Sequence, residues 1–97
     1  MLPAMLQSFA DQDSERVWRR EPVRKFHPDL QRVALRKLAI LDAAETLADL
    51  RVPPGNRLEK LSGDPDGQHS IRVNDQWRIC FRWPKAGPED ISIADCH

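Results

Sequence analysis

Three side chains stand where proton-transfer chemistry and phosphate recognition would need them. Glu59 lies between Arg57 and Lys60, and a carboxylate among cations suits a general base when its pKa matches the work. His97 follows Asp95 and Cys96 directly after a strand-like stretch, and an imidazole there can give or take a proton near neutral pH. Arg78 belongs to a second basic set with Arg57, Lys60, Arg72 and Arg82. Arginine far outnumbers lysine, and its planar guanidinium reads phosphate through paired hydrogen bonds.

Charge is unevenly spread. Lys+Arg and Asp+Glu both number 15, so the net charge is zero. Between Arg16 and Lys37, however, eight basic residues face only Glu21 and Asp29, a local charge of +6. Arg32, Arg36 and Lys37 supply its helical end. Such a block suits a polyanion or an acidic protein, and as a plain alternative a solvated helix face.

Other chemistries find little support. Cys80 and Cys96 are too few and too far apart for a CxxC zinc site, and His27, His69 and His97 lack HExxH or HxH spacing. No metal and no cofactor is expected. With four glycines and no GxxxxGK[ST] or GxGxxG, a phosphate-cradling loop is not expected either. The 97 residues suit one domain over 1–97. A mean hydropathy of −0.60 and the lack of a long apolar run argue against a membrane span, and no signal peptide is expected. A cytoplasmic location follows as the expectation.

The positioning elements are legible from local pattern. Met5–Phe9 alternates weakly, as a short first strand would. Asp13-Ser14 offers an N-cap to a basic helix over Glu15–Arg20. Pro28 and Asp29 open a longer helix, expected to reach about Glu45, with Leu30, Val33, Ala34, Leu38, Leu41 and Ala44 on one stripe. Leu47–Leu50 adds a turn, and Pro53-Pro54-Gly55-Asn56 should interrupt regular structure. Strands are expected at Leu58–Leu61, His69–Val73, Trp77–Trp83 and Ile91–Ala94, with turns at Ser62–Gly67, Asn74–Gln76 and Pro84–Pro88. In Trp77–Trp83 the aromatic and aliphatic residues alternate with Arg78, Cys80 and Arg82, a period of two. Two helices ahead of a run of hairpin-joined strands imply α+β, with the helices on one face of a mostly antiparallel sheet.

Several stretches carry a family resemblance. Val52-Pro53-Pro54-Gly55-Asn56-Arg57-Leu58-Glu59-Lys60-Leu61 and Asn74-Asp75-Gln76-Trp77-Arg78-Ile79 resemble the HigB toxins, or plasmid maintenance killer proteins, of the RelE superfamily of type II toxin–antitoxin systems. Asp29–Ala34 and Leu47–Arg51 are similar too. The resemblance implies a compact RelE-like fold. It implies a metal-independent endoribonuclease that cuts mRNA in the ribosomal A site, a helix-turn-helix antitoxin of HigA type as partner, and the bacterial ribosome and mRNA as targets. Arg78 matches the strand arginine that contacts the scissile phosphate. Glu59 occupies the place of a catalytic His in HigB relatives and of a general-base Glu in YoeB-like ones. Asp95 and His97 match the family's Asp-Tyr-His, from which Cys96 departs; the chain has no tyrosine.

Metal-free RNA cleavage needs a base at the 2′-OH, cations on the phosphorane oxygens and an acid at the departing 5′-oxygen. Glu59, Arg78 and His97 are of those three types, with base and acid unassigned between Glu59 and His97. Arg32, Arg36, Lys37, Arg57, Lys60, Arg72 and Arg82 are the expected RNA- or ribosome-binding set. Two other readings are a non-catalytic ribosome- or RNA-binding module of the same fold, and a protein-interaction domain whose basic helix docks an acidic partner.

Overall fold

The computed structural model describes residues 5–61, 67–84 and 86–95. The expected turn at Ser62–Gly67 therefore lies largely outside the described residues, as do Cys96 and His97. Helix α1 spans Gln12–Trp18 and helix α2 spans Pro28–Ala43. Two 3-10 turns, Leu47–Arg51 and Pro54–Asn56, lead to four strands: β1 Glu59–Lys60, β2 Gln68–Arg72, β3 Trp77–Arg82 and β4 Glu89–Asp95. The strands form an antiparallel sheet in sequence order. The fold is α+β, as the element order implies, and it is consistent with the RelE-like fold that the resemblance implies.

Helix α2 forms for local reasons. His27 caps it by accepting the Asp29 N–H, and proline occupies the first turn. Leu30, Ala34, Leu38 and Leu41 recur on one stripe and are buried. The helix stops at Ala43, short of Glu45, because Ala44 turns to an extended conformation. Thr46 and Asp49 then cap each other reciprocally and start the first 3-10 turn.

The core lies between the helices and one face of the sheet. Ile71, Ile79, Phe81 and Ile91 are fully buried beside Leu38, Leu41 and Leu50. Phe26 meets Trp77 edge-on at 5.3 Å between ring centroids, and Phe81 does the same with Trp83 at 6.2 Å. The hairpin between β2 and β3 is closed by Asn74, whose Oδ1 accepts from the N–H groups of Gln76 and Trp77.

Three local expectations are corrected. Met5–Phe9 is not a sheet strand; only Phe9 bridges β4, in parallel with Ile91. The segment still follows β4, with Gln7 N–H donating to Pro88 and Ile91 N–H to Ser8. Asp90 sits in the left-handed region at φ 52°, which breaks the extended run a longer ladder would need. The N-cap of α1 is Asp11, not Asp13-Ser14, and its carboxylate accepts the Ser14 N–H at 2.7 Å. The earlier start puts Asp13 and Glu15 in the first turn, where the helix dipole favours anions. Pro54–Asn56 also forms a 3-10 turn where an interruption is expected.

Moving the cap to Asp11 frees Ser14 for another task. Ser14 is fully buried, and its Oγ accepts the Ile93 N–H at 2.9 Å, tying α1 to β4 across 79 residues of sequence. Ser14→Ala leaves that buried N–H without an acceptor, and a loss of about 1–3 kcal/mol is expected in urea unfolding at unchanged m-value. A loss under about 0.5 kcal/mol refutes the tie. Asp49 supplies a pH signature. The N–H groups of Thr46 and Glu45 hold its carboxyl below the usual 3.8. Since the folded pKa is the lower one, its stabilisation is present above pH 3.8 and is lost as pH falls through the folded value. The stability gap between wild type and Asp49→Asn should therefore be constant near neutrality and shrink below pH 3.8; a gap that persists into acid contradicts the cap.

Candidate active site on the polar sheet face

The period of two in β3 decides which side chains meet. Ile79 and Phe81 point into the core, so Arg78, Cys80 and Arg82 point to the other face. Register carries the same division outward. Arg72 pairs with Arg78, Ser70 with Cys80, and Glu59 with Ser70. On the far side Ala94 pairs with Arg78 and Ser92 with Cys80. The polar face thus joins Glu59, Ser70, Arg72 and Arg78.

Arg78 is held rather than loose. Its Nε donates to Ser70 Oγ at 2.7 Å, and its Nη2 donates to the Arg57 carbonyl at 2.5 Å and the Ser70 carbonyl at 3.3 Å. Its Nη1 lies 4.0 Å from Glu59 Oε1, with 11% of the Arg78 side chain exposed against 58% of Glu59. A fixed guanidinium beside a solvent-facing carboxylate combines an anion-binding group with a proton acceptor at one point.

The Arg57 carbonyl reaches Arg78 because of its backbone. Arg57 has φ 45° and ψ 59°, a left-handed conformation that costs a residue with a Cβ of order 1 kcal/mol or more. It follows Asn56, which is fully buried. Asn56 donates to the Leu50 and Val52 carbonyls and accepts the Lys37 amine at 2.6 Å. Lys37 is therefore engaged with Asn56. Burial, then the positive charges of Arg36 and Arg72, hold its pKa below the usual 10.5.

The remaining candidates separate. Arg36 is exposed, while Arg72 is half-buried and paired with Asp75. Arg32 is paired with Asp29 at the start of α2. Arg82 lies four residues beyond Arg78, roughly 13 Å along the strand. Lys60 pairs in register with His69, so it projects to the helix-bearing side, away from Arg78. Asp95 sits at the Arg78 end of β4, opposite Trp77, and accepts from Gln76 Nε2 at 3.0 Å. Among the described residues, no three His, Cys, Asp or Glu side chains gather as a metal site.

Sequence reasoning assigned no such part to Ser70, the Arg57 carbonyl, Asn56 or Gln76. Asn56, Arg57 and Gln76 lie in stretches that carry the family resemblance, but nothing local marks the bonds they make, because the fold brings in their partners.

These bonds revise what removing Arg78 should do. A solvent-facing arginine would cost little, but this one satisfies the buried hydroxyl of Ser70. Arg78→Ala is expected to lower stability by about 1–3 kcal/mol in urea unfolding while the sheet still folds. A change within about 0.5 kcal/mol contradicts the anchored geometry.

Comparison with known proteins adds the family. A family model described as the RelE-like toxin of the type II toxin–antitoxin system HigB matches residues 7–97. Toxin HigB-1 of Vibrio cholerae serotype O1 is 54% identical over 54 residues, 56% of this chain and 57% of that protein. An uncharacterized protein of Haemophilus influenzae is 41% identical over 59 residues, 61% of this chain and 58% of that one. The matches thus span little more than half the length of either relative. With a family match reaching from Gln7 through both helices and all four strands, the chain belongs to the HigB-like family of RelE-like toxins of type II toxin–antitoxin systems.

Proposed function

We propose that this protein is a toxin that cuts mRNA on the bacterial ribosome, in the cytoplasm, and so inhibits translation. The observation that carries the reading is the anchored Arg78 guanidinium 4.0 Å from the Glu59 carboxylate on the polar sheet face. The family supplies the toxin context.

In this mechanism the 2′-hydroxyl of one nucleotide attacks its own 3′-phosphorus. The O–H proton leaves to a base, a P–O bond forms, and the bond to the 5′-oxygen of the next nucleotide breaks as that oxygen takes a proton. A 2′,3′-cyclic phosphate and a 5′-hydroxyl result. DNA lacks the nucleophile and is spared. Arg78, held through Nε and Nη2, keeps Nη1 directed at the Glu59 side and stabilises charge on the phosphorane oxygens. Glu59 and His97 share the base and acid roles. Asp95, tied to Gln76, fixes the end of β4 that leads to His97. Arg57 and Arg72 lie beside Arg78 and add positive potential along the RNA path. Arg36 and Lys37 extend it onto α2, and Arg32 and Arg82 act at a distance as docking charges. The partner that restrains the toxin is a helix-turn-helix antitoxin of HigA type.

The test is primer extension on translating ribosomes with added protein. Discrete cuts within A-site codons are expected. Glu59→Gln, at an exposed position, should keep ribosome binding and lose cleavage by roughly 100-fold or more, the usual scale for a proton-transfer group. Stalling without cuts in the wild type would instead favour the non-catalytic ribosome-binding reading, to which the Cys96 departure from the family tyrosine points. Full cleavage by Glu59→Gln removes Glu59 from the chemistry.

A further inference from the structure

The polar face leaves one feature of the molecule unused. On the opposite, helix-bearing side, a cleft of about 410 Å³ opens between the first 3-10 turn and strands β1 and β2. Leu47, Ala48 and Leu58 form its apolar floor, and Arg51 and Lys60 bound it. Both cations are exposed, and no carboxylate is bonded to either among the described residues. Val52, next to Arg51 in the chain, leaves 71% of its surface exposed.

His69 completes the lining. It is 8% exposed and stacks on Phe81 at 6.2 Å between ring centroids. Its Nδ1 lies 3.1 Å from the Gly67 carbonyl. A carbonyl only accepts, so Nδ1 carries the proton and Nε2 is left as an acceptor. No buried side-chain nitrogen or oxygen lacks a partner among the described residues, so Nε2, which bonds none of them, reaches solvent at the cleft. An apolar floor, one directed acceptor and two cations with no carboxylate partner among the described residues describe a recognition site rather than a solvated surface.

We propose that this cleft docks the antitoxin, through a segment in which one or two apolar side chains are flanked by carboxylates. The apolar groups fill the Leu47–Leu58 floor, the carboxylates meet Arg51 and Lys60, and a backbone N–H or hydroxyl donates to His69 Nε2. Charge complementarity selects this occupant. A nucleic acid would satisfy the cations but leave the apolar floor wet, and a neutral apolar segment would leave the cations unmatched. The proposal rests on the toxin–antitoxin reading for the identity of the partner. The two faces of β1 then have separate tasks: Glu59 faces Arg78, and Lys60 faces the docked segment.

The experiment measures the affinity of the protein for its purified cognate antitoxin, by titration calorimetry at two salt concentrations. Arg51→Glu/Lys60→Glu reverses two exposed charges and is expected to weaken binding at least tenfold and to flatten its salt dependence. Ala48→Trp fills the cleft from an exposed position, and a similar loss is expected with an unchanged circular dichroism spectrum. Arg82→Glu reverses a charge on the polar face and is expected to keep wild-type affinity. Wild-type affinity in both cleft variants overturns the proposal. So does an equal loss in Arg82→Glu, which would mean diffuse electrostatic attraction, and so does a cleft variant that loses RNA binding while keeping the antitoxin. Wild-type primer extension is read separately: absence of cleavage there refutes the ribonuclease reading and leaves the docking result standing on the calorimetry.

Discussion

The strict alternation of β3 is the constraint on which the rest of the molecule depends. Ile79 and Phe81 are fully buried against the helices, and a strand that places them there must place Arg78, Cys80 and Arg82 on the other face. A slip of one residue would drive the arginines into the core and the aromatic ring into water. The apolar contacts that stabilise the sheet thereby also fix the face on which Arg78 meets Glu59. Stability and site geometry are set by the same residues.

What organises the polar face is hydrogen bonding rather than apolar contact. A guanidinium with little exposure is costly to leave unsatisfied, and Arg78 finds acceptors in Ser70 and in the Arg57 carbonyl. The second of these requires a left-handed backbone at Arg57. Asn56 stabilises that turn by bonding the Leu50 and Val52 carbonyls and the Lys37 amine. A chain of specific polar contacts therefore runs from α2 through the 3-10 turns to the middle strand of the sheet. It explains why the amine of half-buried Lys37, counted among the docking charges, is also bonded within the protein.

Strand β1 shows how little structure is needed to send neighbouring side chains to opposite faces. It has two residues, and antiparallel pairing with β2 sends one to each side: Glu59 beside Ser70, Lys60 beside His69. Being a short edge strand, it also limits unwanted pairing with other chains. In the proposed roles of Glu59 and Lys60, chemistry and partner recognition can then change independently along the same few residues.

The sequence by itself determined the features that depend on neighbours in the chain. The stripe of α2, its proline and aspartate start, the alternation of β3 and the Asn74 turn are all local patterns, and each element formed where its pattern lay. The family resemblance was legible for the same reason, in contiguous stretches such as Asn74–Ile79. The tertiary structure decided everything that needed a distant partner. Ser14 reads as a cap until Ile93, 79 residues away, takes its hydroxyl. Lys37 reads as a free charge until Asn56 meets it. Arg78 reads as solvent-facing until Ser70 and Arg57 hold it. Lys60 and Glu59 read as neighbours on one basic strand, yet two residues carry no period of their own, and only the register against β2 sends them to opposite faces. Side-chain hydrogen bonds and the register of short strands are set by what the fold brings alongside, which no local pattern encodes.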